Sequence, residues 1–401
     1  MERHQAVPME SRRAVGALLG AAAVCLAFVA APAIAADPYK IDVITSLTGG
    51  ASFLGKGEQQ SLEFLKKSVN KTGGINGRDL EFVYYDDQSS PQTAVQLATQ
   101  IMASNPPVIL GPSIVAMCNA AGALMKNGPV MYCLSPGIHP PKGSFVFTSS
   151  ASTYDLAKAL MRYFRTKGWT NIAVMTSSDA SGQDAERGLN EAAAMAENKT
   201  IKIVARAHFN ITDVSVAAQI ENVKAAKPQA FIAWSTGAPI ATIFKGIVQA
   251  GLDVPTATTD GNMTYAQMKN YADFLPKQLY IASAQWAAYG QPGIDPNVMR
   301  AQEAFYGEYK AAGLKPDLPA SIAWNTGLIV VDALRKLGPK VTAVQLRDHL
   351  QNLKGFPAID GVHDFGASPQ RGLDLSHVVV THWDPAKGTW VPLSKPGGEP
   401  L

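Results

Sequence analysis

The chain has 401 residues, 47% hydrophobic and 17% charged, which is ample for buried cores and excludes a disordered, collagen-like or disulfide-stapled chain. Basic residues number 35 and acidic residues 32, a net charge of +3, and no basic stretch marks a nucleic-acid track. At about 100–150 residues per domain, two or three domains are expected.

The first 36 residues read as an export leader. Arg12 and Arg13 precede an apolar run from Ala14 to Ala30, and Ala33-Ile34-Ala35 gives the small-x-small pattern that a signal peptidase accepts. Residues 1–35 are therefore expected to be a cleaved signal peptide, with the remainder in the periplasm. A retained anchor is the alternative, because Ala14 to Ala36 is long enough to span a bilayer; its alanine richness makes it only weakly apolar and favours cleavage. Val24 before Cys25 argues against a lipoprotein, and the Arg12-Arg13 pair alone does not establish twin-arginine export. In an oxidising compartment the remaining cysteines, Cys118 and Cys133, either pair across a short loop or stay as separate buried thiols.

Beyond the leader, short apolar runs alternate with amphipathic segments. Tyr39 to Thr45 has strand character, Gly57 to Val69 carries Leu62, Phe64, Leu65 and Val69 at helical spacing, and Leu80 to Tyr85 returns to strand. Pro91 to Ala103 reads as helix, Val108 to Leu110 as strand, Ala116 to Lys126 as helix and Val130 to Leu134 as strand. A second round follows Ser149: helix Asp155 to Lys167, strand Asn171 to Thr176, helix Asp184 to Glu197, strand Ile201 to Ala207. Helix Val216 to Ala226, strand Ala230 to Trp234, helix Pro239 to Ala250 and strand Thr256 to Thr259 complete it. Asn297 to Leu353 is again helical, and His377 to His382 and Trp390 to Leu393 read as late strands about a turn at Asp384 to Gly388. This alternation predicts an α/β fold of two doubly wound lobes with largely parallel sheets. Ligand contacts then belong on the loops after the carboxyl ends of the strands.

Enzyme signatures fail one by one. Gly50 to Gly57 falls one residue short of a phosphate loop, and Gly57 has no hydroxyl to offer a magnesium ion. His377 and His382, five apart on an expected strand, point to opposite faces and make no metal pair. Asp86-Asp87 reads as a solvated turn. No Gly-x-Ser-x-Gly, His-Glu-x-x-His or Cys-x-x-Cys motif occurs, so no catalysis, metal or cofactor is expected.

The ordered set Ser46-Leu47-Thr48-Gly49, Gly55 to Gly57, Asn70 with Gly73-Gly74-Ile75-Asn76-Gly77-Arg78, Tyr85-Asp86-Asp87 and Gly111-Pro112-Ser113 resembles the periplasmic solute-binding proteins of branched-chain amino acid ABC importers. Ser135-Pro136-Gly137, Gly182, the Gly251-Leu252 turn and Trp383-Asp384-Pro385 fit the same pattern. The glycine-rich turn at residues 73–77 needs positive φ and has a structural role. The resemblance implies a type I periplasmic binding protein fold, two lobes joined by a three-strand hinge that close on one small molecule and deliver it to a membrane permease. It places residues 37–149 plus 283–355 in the N-terminal lobe and residues 150–282 plus 356–401 in the C-terminal lobe. The chain is expected to act as a monomer, with no nucleic-acid partner.

Carried across position by position, the resemblance departs from an amino-acid site. The stretch that holds a ligand carboxylate in the family is here Ile114-Val115-Ala116, without a hydroxyl, so that Ser113 is the candidate substitute; the next carboxylate position falls on His139. The aspartate that pairs with a ligand ammonium falls on Ser152, while its second-lobe counterpart survives as Asp260 beside Asn262. An unpaired buried ammonium costs several kcal/mol, so half a clamp argues against an ordinary α-amino acid. Phe53, Leu54, Val115, Ile138, Tyr154 and Trp234 are expected to line an apolar slot, with Ser178, Ser181, Ser235 and Thr236 as polar contacts from the second lobe. A small or aromatic carboxylic acid is the expected ligand, with branched-chain amino acids or amides as the alternative. A sensory ectodomain and an exported hydrolase are the competing function classes.

Overall fold

The computed structural model describes residues 37–401; the expected leader and Cys25 lie outside the described residues. In chain order, strand β1 (Tyr39–Thr45), helix α1 (Ser52–Lys71), β2 (Leu80–Asp86), α2 (Pro91–Met102), β3 (Val108–Leu110), α3 (Val115–Gly122), β4 (Val130–Cys133) and β5 (Val146–Thr148) build the first lobe's sheet. Its order is β2-β1-β3-β4-β5 and every pairing is parallel. The chain then crosses to the second lobe through α4 (Thr153–Thr166), β6 (Asn171–Ser177), α5 (Ala180–Ala194), β7 (Lys202–Phe209), α6 (Ala217–Ala225), β8 (Ala230–Trp234), α7 (Ile240–Ala250), β9 (Thr256–Thr258), α8 (Tyr265–Asn270) and β10 (Leu279–Ala284). Helices α9 (Pro296–Ala311), α10 (Leu318–Leu337) and α11 (Ala343–Gln351) follow, with α10 packed along α1 of the first lobe. A hairpin of β11 (Lys354–Ala358) and β12 (Gly361–Asp364) leads to β13 (Val378–Asp384) and β14 (Thr389–Pro392). These last two add antiparallel at one edge of the second sheet, whose order is β14-β13-β10-β9-β8-β6-β7.

The parallel strands are short continuous apolar runs because helices cover both their faces. Val108–Leu110, Val130–Cys133 and Ala230–Trp234 are buried at every position. Against them α1 turns in Leu54, Leu62, Leu65 and Val69, and α4 turns in Leu156, Leu160 and Phe164. Leu54 shows that α1 starts at Ser52, five residues before the periodicity indicated. Gly55 is thus inside the helix, where an added Cβ would sit 2.1 Å from the Ser46 carbonyl; the glycine lets α1 approach the end of β1. The turn from α1 to β2 has Gly73, Gly74, Asn76 and Gly77 all at positive φ, in keeping with its structural role.

Three expectations need correction. His377 lies in a short 3-10 turn with its ring on Asp374 and only His382 is on β13. Asp87 is fully buried, accepting from the Ser46 hydroxyl and the Ser89 N–H, while Asp86 accepts from Leu47, Thr48 and Gln88. Asp87 thus ties down the loop after β1 from inside the protein, while Asp86, partly exposed, holds the same loop from the turn. Strand β10 and the β11–β12 hairpin were not foreseen; Leu279–Ala284 ends in Ala-Ser-Ala, small residues with little strand preference.

Cys118 on α3 and Cys133 at the end of β4 are joined by a disulfide, with Cα atoms 6.0 Å apart. Closing a 15-residue separation is worth about 3 kcal/mol through the unfolded chain. The Cys118→Ser/Cys133→Ser protein is expected to lose about 3 kcal/mol of unfolding free energy and to show a lower urea midpoint, with a slope no shallower than the parent's because its unfolded chain is less confined, measured by circular dichroism.

Candidate functional site

The carboxyl ends of the strands of both sheets face one another across an enclosed cavity. It has about 430 Å³ of atom-free space, counting the part open to solvent. The first lobe contributes Leu54 and Glu58 from α1, Ser113, Ile114 and Val115 at the start of α3, Leu134 to Gly137 after β4, and Leu318, Pro319 and Ile322 of α10. The second contributes Thr153, Ser181, Trp234, Thr236, Thr259, Asp260 and Gly261.

Of the residues expected at a site, this cavity gathers Leu54, Ser113, Val115, Ser181, Trp234, Thr236 and Asp260. The others are outside its lining. Ser152 caps α4, accepting the Asp155 N–H at 3.0 Å and donating to its carboxylate at 2.6 Å. His139 bonds through Nε2 to Asp184 at 3.0 Å and lies over the Tyr154 ring, whose hydroxyl accepts from Arg187. Phe53 packs edge-on against Tyr271 of the other lobe, and Ala116 follows Val115 on α3. Ile138 offers its carbonyl to Arg371. Ser178 is exposed and bonds Asn210. Ser235 and Asn262 are buried together; the Asn262 amide donates to the Ser235 carbonyl and accepts from the Gly237 N–H, fixing the loop that carries Thr236.

Charged groups that the sequence reading missed lie on or behind the walls. Glu58 is fully buried, and both the Thr45 and Ser113 hydroxyls donate to its Oε2 at 2.6 Å. Burial pushes its carboxyl up to about 7, the two hydroxyls opposing the shift and Asp87 adding to it. Asp260, also fully buried, is pushed up to about 7 by burial, with Thr259, the Gly261 N–H and the more distant Arg371 pulling the other way. Its Oδ2 has no hydrogen-bond partner, nor has Oδ2 of buried Asp184, which lies 3.3 Å from where a Cβ on Gly137 would stand. A glutamate at the second turn of a helix has no sequence mark separating it from a surface residue, and Asp184 reads as helix surface. Helical spacing offered one clue: Glu58, Leu62 and Leu65 share a face.

Behind the site, Arg371 is buried and donates to the carbonyls of Pro136, Ile138, Ser149 and Ser150. Burial lowers it to about 10, while Asp155, Asp184, Tyr132 and Asp260 hold it up. The lobes also touch directly. Ala238 N–H donates to the Gly50 carbonyl at 3.1 Å, Leu318 N–H to that of Met263 at 3.1 Å, and Tyr265 N–H to Asp317 at 3.4 Å.

These features define a two-lobed α/β clamp around one polar-apolar cavity. The sequence pattern of the periplasmic binding protein family matches residues 38–384, and the chain belongs to that family. It is similar to the leucine-, isoleucine-, valine-, threonine- and alanine-binding protein of Pseudomonas aeruginosa, 26% identical over 152 residues, which is 38% of this chain and 37% of the relative. A type 1 periplasmic binding protein from Bordetella pertussis shares the fold with a TM-score of 0.74 at 21% identity, over 91% of this chain and 100% of that one. An R. palustris solute-binding protein solved in complex with benzoate does so with a TM-score of 0.73 at 17% identity, over 89% and 95%.

Glu58, Asp260 and Asp317, each raised to about 7 by burial, hold protons in the folded chain that the unfolded chain has already released. The folded state therefore binds more protons between the ordinary carboxylate range and about 7, and stability falls as pH rises through that window. The melting temperature is expected to drop between pH 5 and pH 8, and Asp317→Asn to flatten the drop, as read by differential scanning fluorimetry.

Proposed function

We propose that this protein is the extracytoplasmic solute receptor of an ABC importer, clamping one small organic molecule and presenting the closed form to a membrane permease. The observation that carries this is the enclosed cavity at the strand ends, walled by both lobes, with Trp234, Val115, Leu54 and Ile322 as apolar surface and Asp260, Ser181, Thr236 and Ser113 as polar groups. A guest touches both walls only when the lobes are together, so its binding energy favours closure. In this reading the two lobes move as bodies about the crossings near Ser149, Gln285 and Arg371. No bond of the guest is made or broken.

Two ligand classes have support. An aromatic or small carboxylic acid fits the apolar walls and the benzoate-bound relative, although His139, assigned to the carboxylate, is turned to Asp184. An amino acid or amide fits the unpaired oxygen of Asp260 and the amino-acid-binding relative.

A thermal-shift panel of amino acids, amides, aromatic acids and short fatty acids is expected to yield at least one compound that raises the melting temperature, because a ligand bound only by the folded form stabilises it. That compound should shrink the radius of gyration in small-angle scattering and be recovered unchanged by mass spectrometry. An unaltered scattering profile, or a transformed compound, removes the receptor reading.

A further inference from the structure

The transport reading leaves Glu58 without a task, yet it is the most deliberately placed group in the first lobe's wall. Its Oε2 receives the Thr45 hydroxyl and the Ser113 hydroxyl, both at 2.6 Å, and the two hydroxyl oxygens lie 3.0 Å apart. Ser113 also accepts the Ser46 N–H at 3.3 Å. A serine hydroxyl has one proton and two lone pairs. With that proton pointed at the carboxylate and one lone pair facing Ser46, only a lone pair is left for the cavity that Ser113 lines. Ser113 then accepts and does not donate. Across the cavity the unpaired Oδ2 of buried Asp260 is also an acceptor.

We propose that Glu58 is a specificity-determining residue that sets the polarity of the first lobe's wall by drawing the Ser113 proton away from the cavity, so that both walls accept and the site selects amides and amines over carboxylates of the same shape. This deepens the receptor reading and rests on it. The groups facing Glu58 are Thr45 from β1, Ser113 ahead of α3 and Asp87 from the end of β2, with Asp317 ahead of α10 near Gly57 and Asp260 on the opposite wall. All the charged members are acids; Arg371, the cation that acts on Asp260 at longer range, has its guanidinium turned to four backbone carbonyls behind the site. A proton on Glu58 reverses the first wall: the carboxyl donates to a hydroxyl, Ser113 turns its own proton to the cavity, and a carboxylate becomes acceptable; a proton on Asp260, raised to the same range, gives the opposite wall a donor as well. Burial, which raises Glu58 to about 7, brings that reversal into the neutral range.

The probes are two isosteric pairs, benzamide with benzoate and isovaleramide with isovalerate, titrated calorimetrically at alkaline and at mildly acidic pH. The wild-type protein should prefer the amide by at least about tenfold at alkaline pH, since an acceptor facing a buried acceptor leaves both unmet, and the preference should shrink on acidification. Glu58→Met, similar in shape but without an oxygen to accept the Ser113 hydroxyl, should erode the alkaline preference several-fold. Ser113→Ala, a smaller change that serves if Glu58→Met does not fold, should erode it similarly, and the two together should do no more than either alone. Equal weakening of both members of a pair would make Glu58 merely structural and overturn the proposal. So would a wild-type preference for the acids, or four probes without effect; the receptor reading falls only if the wider compound panel fails too.

Discussion

A guanidinium withdrawn from water holds the centre of this molecule together. Arg371 cannot shed its charge at any physiological pH, so its burial has to be met by acceptors on every side. The chain supplies four backbone carbonyls and, at longer range, the carboxylates of Asp155, Asp184 and Asp260. Two of the carbonyls belong to the loop after β4 that walls the cavity, and two to Ser149 and Ser150, where the chain leaves the first lobe. Ser150 and Gln370 both take positive φ there, 64° and 58°, a conformation that side chains other than glycine and asparagine adopt reluctantly. The Thr148 N–H bonds the Gln370 carbonyl, so the first crossing and the last are tied to one another. The cavity loop and the crossings are thus organised by one residue.

Electrostatic composition follows from that anchor. One buried cation faces several buried acids, and the surplus of acceptors sits where the two lobes meet. Such a surplus is costly unless protons or a guest's donors meet it, which gives the cavity its chemical character independently of its shape.

Much of the architecture was legible because parallel strands buried on both faces are short apolar runs, and the helices between them are amphipathic. Leu62, Leu65 and Val69, or Leu156, Leu160 and Phe164, declare their helices by spacing alone. Of the cavity's lining, Ser181 and Thr236 were expected from their places after second-lobe strands, Ser113, Val115 and Asp260 from the resemblance to the family, and Leu54 and Trp234 as apolar positions. What escaped was chemistry fixed by tertiary structure. His139 lies on a cavity loop as expected, but Asp184, 45 positions onward, captures it. Ser152 is one residue from the cavity-lining Thr153 and faces its own helix. Glu58 and Arg371 look like ordinary surface charges until two lobes are folded around them.

The backbone bonds joining Gly50 to Ala238 and Met263 to Leu318 involve no guest at all. In the receptor reading, such bonds contribute to shutting independently of any cargo. Copies shut without a guest would then compete with laden ones for the permease, and uptake at low solute abundance would depend on how sharply that partner tells the two apart.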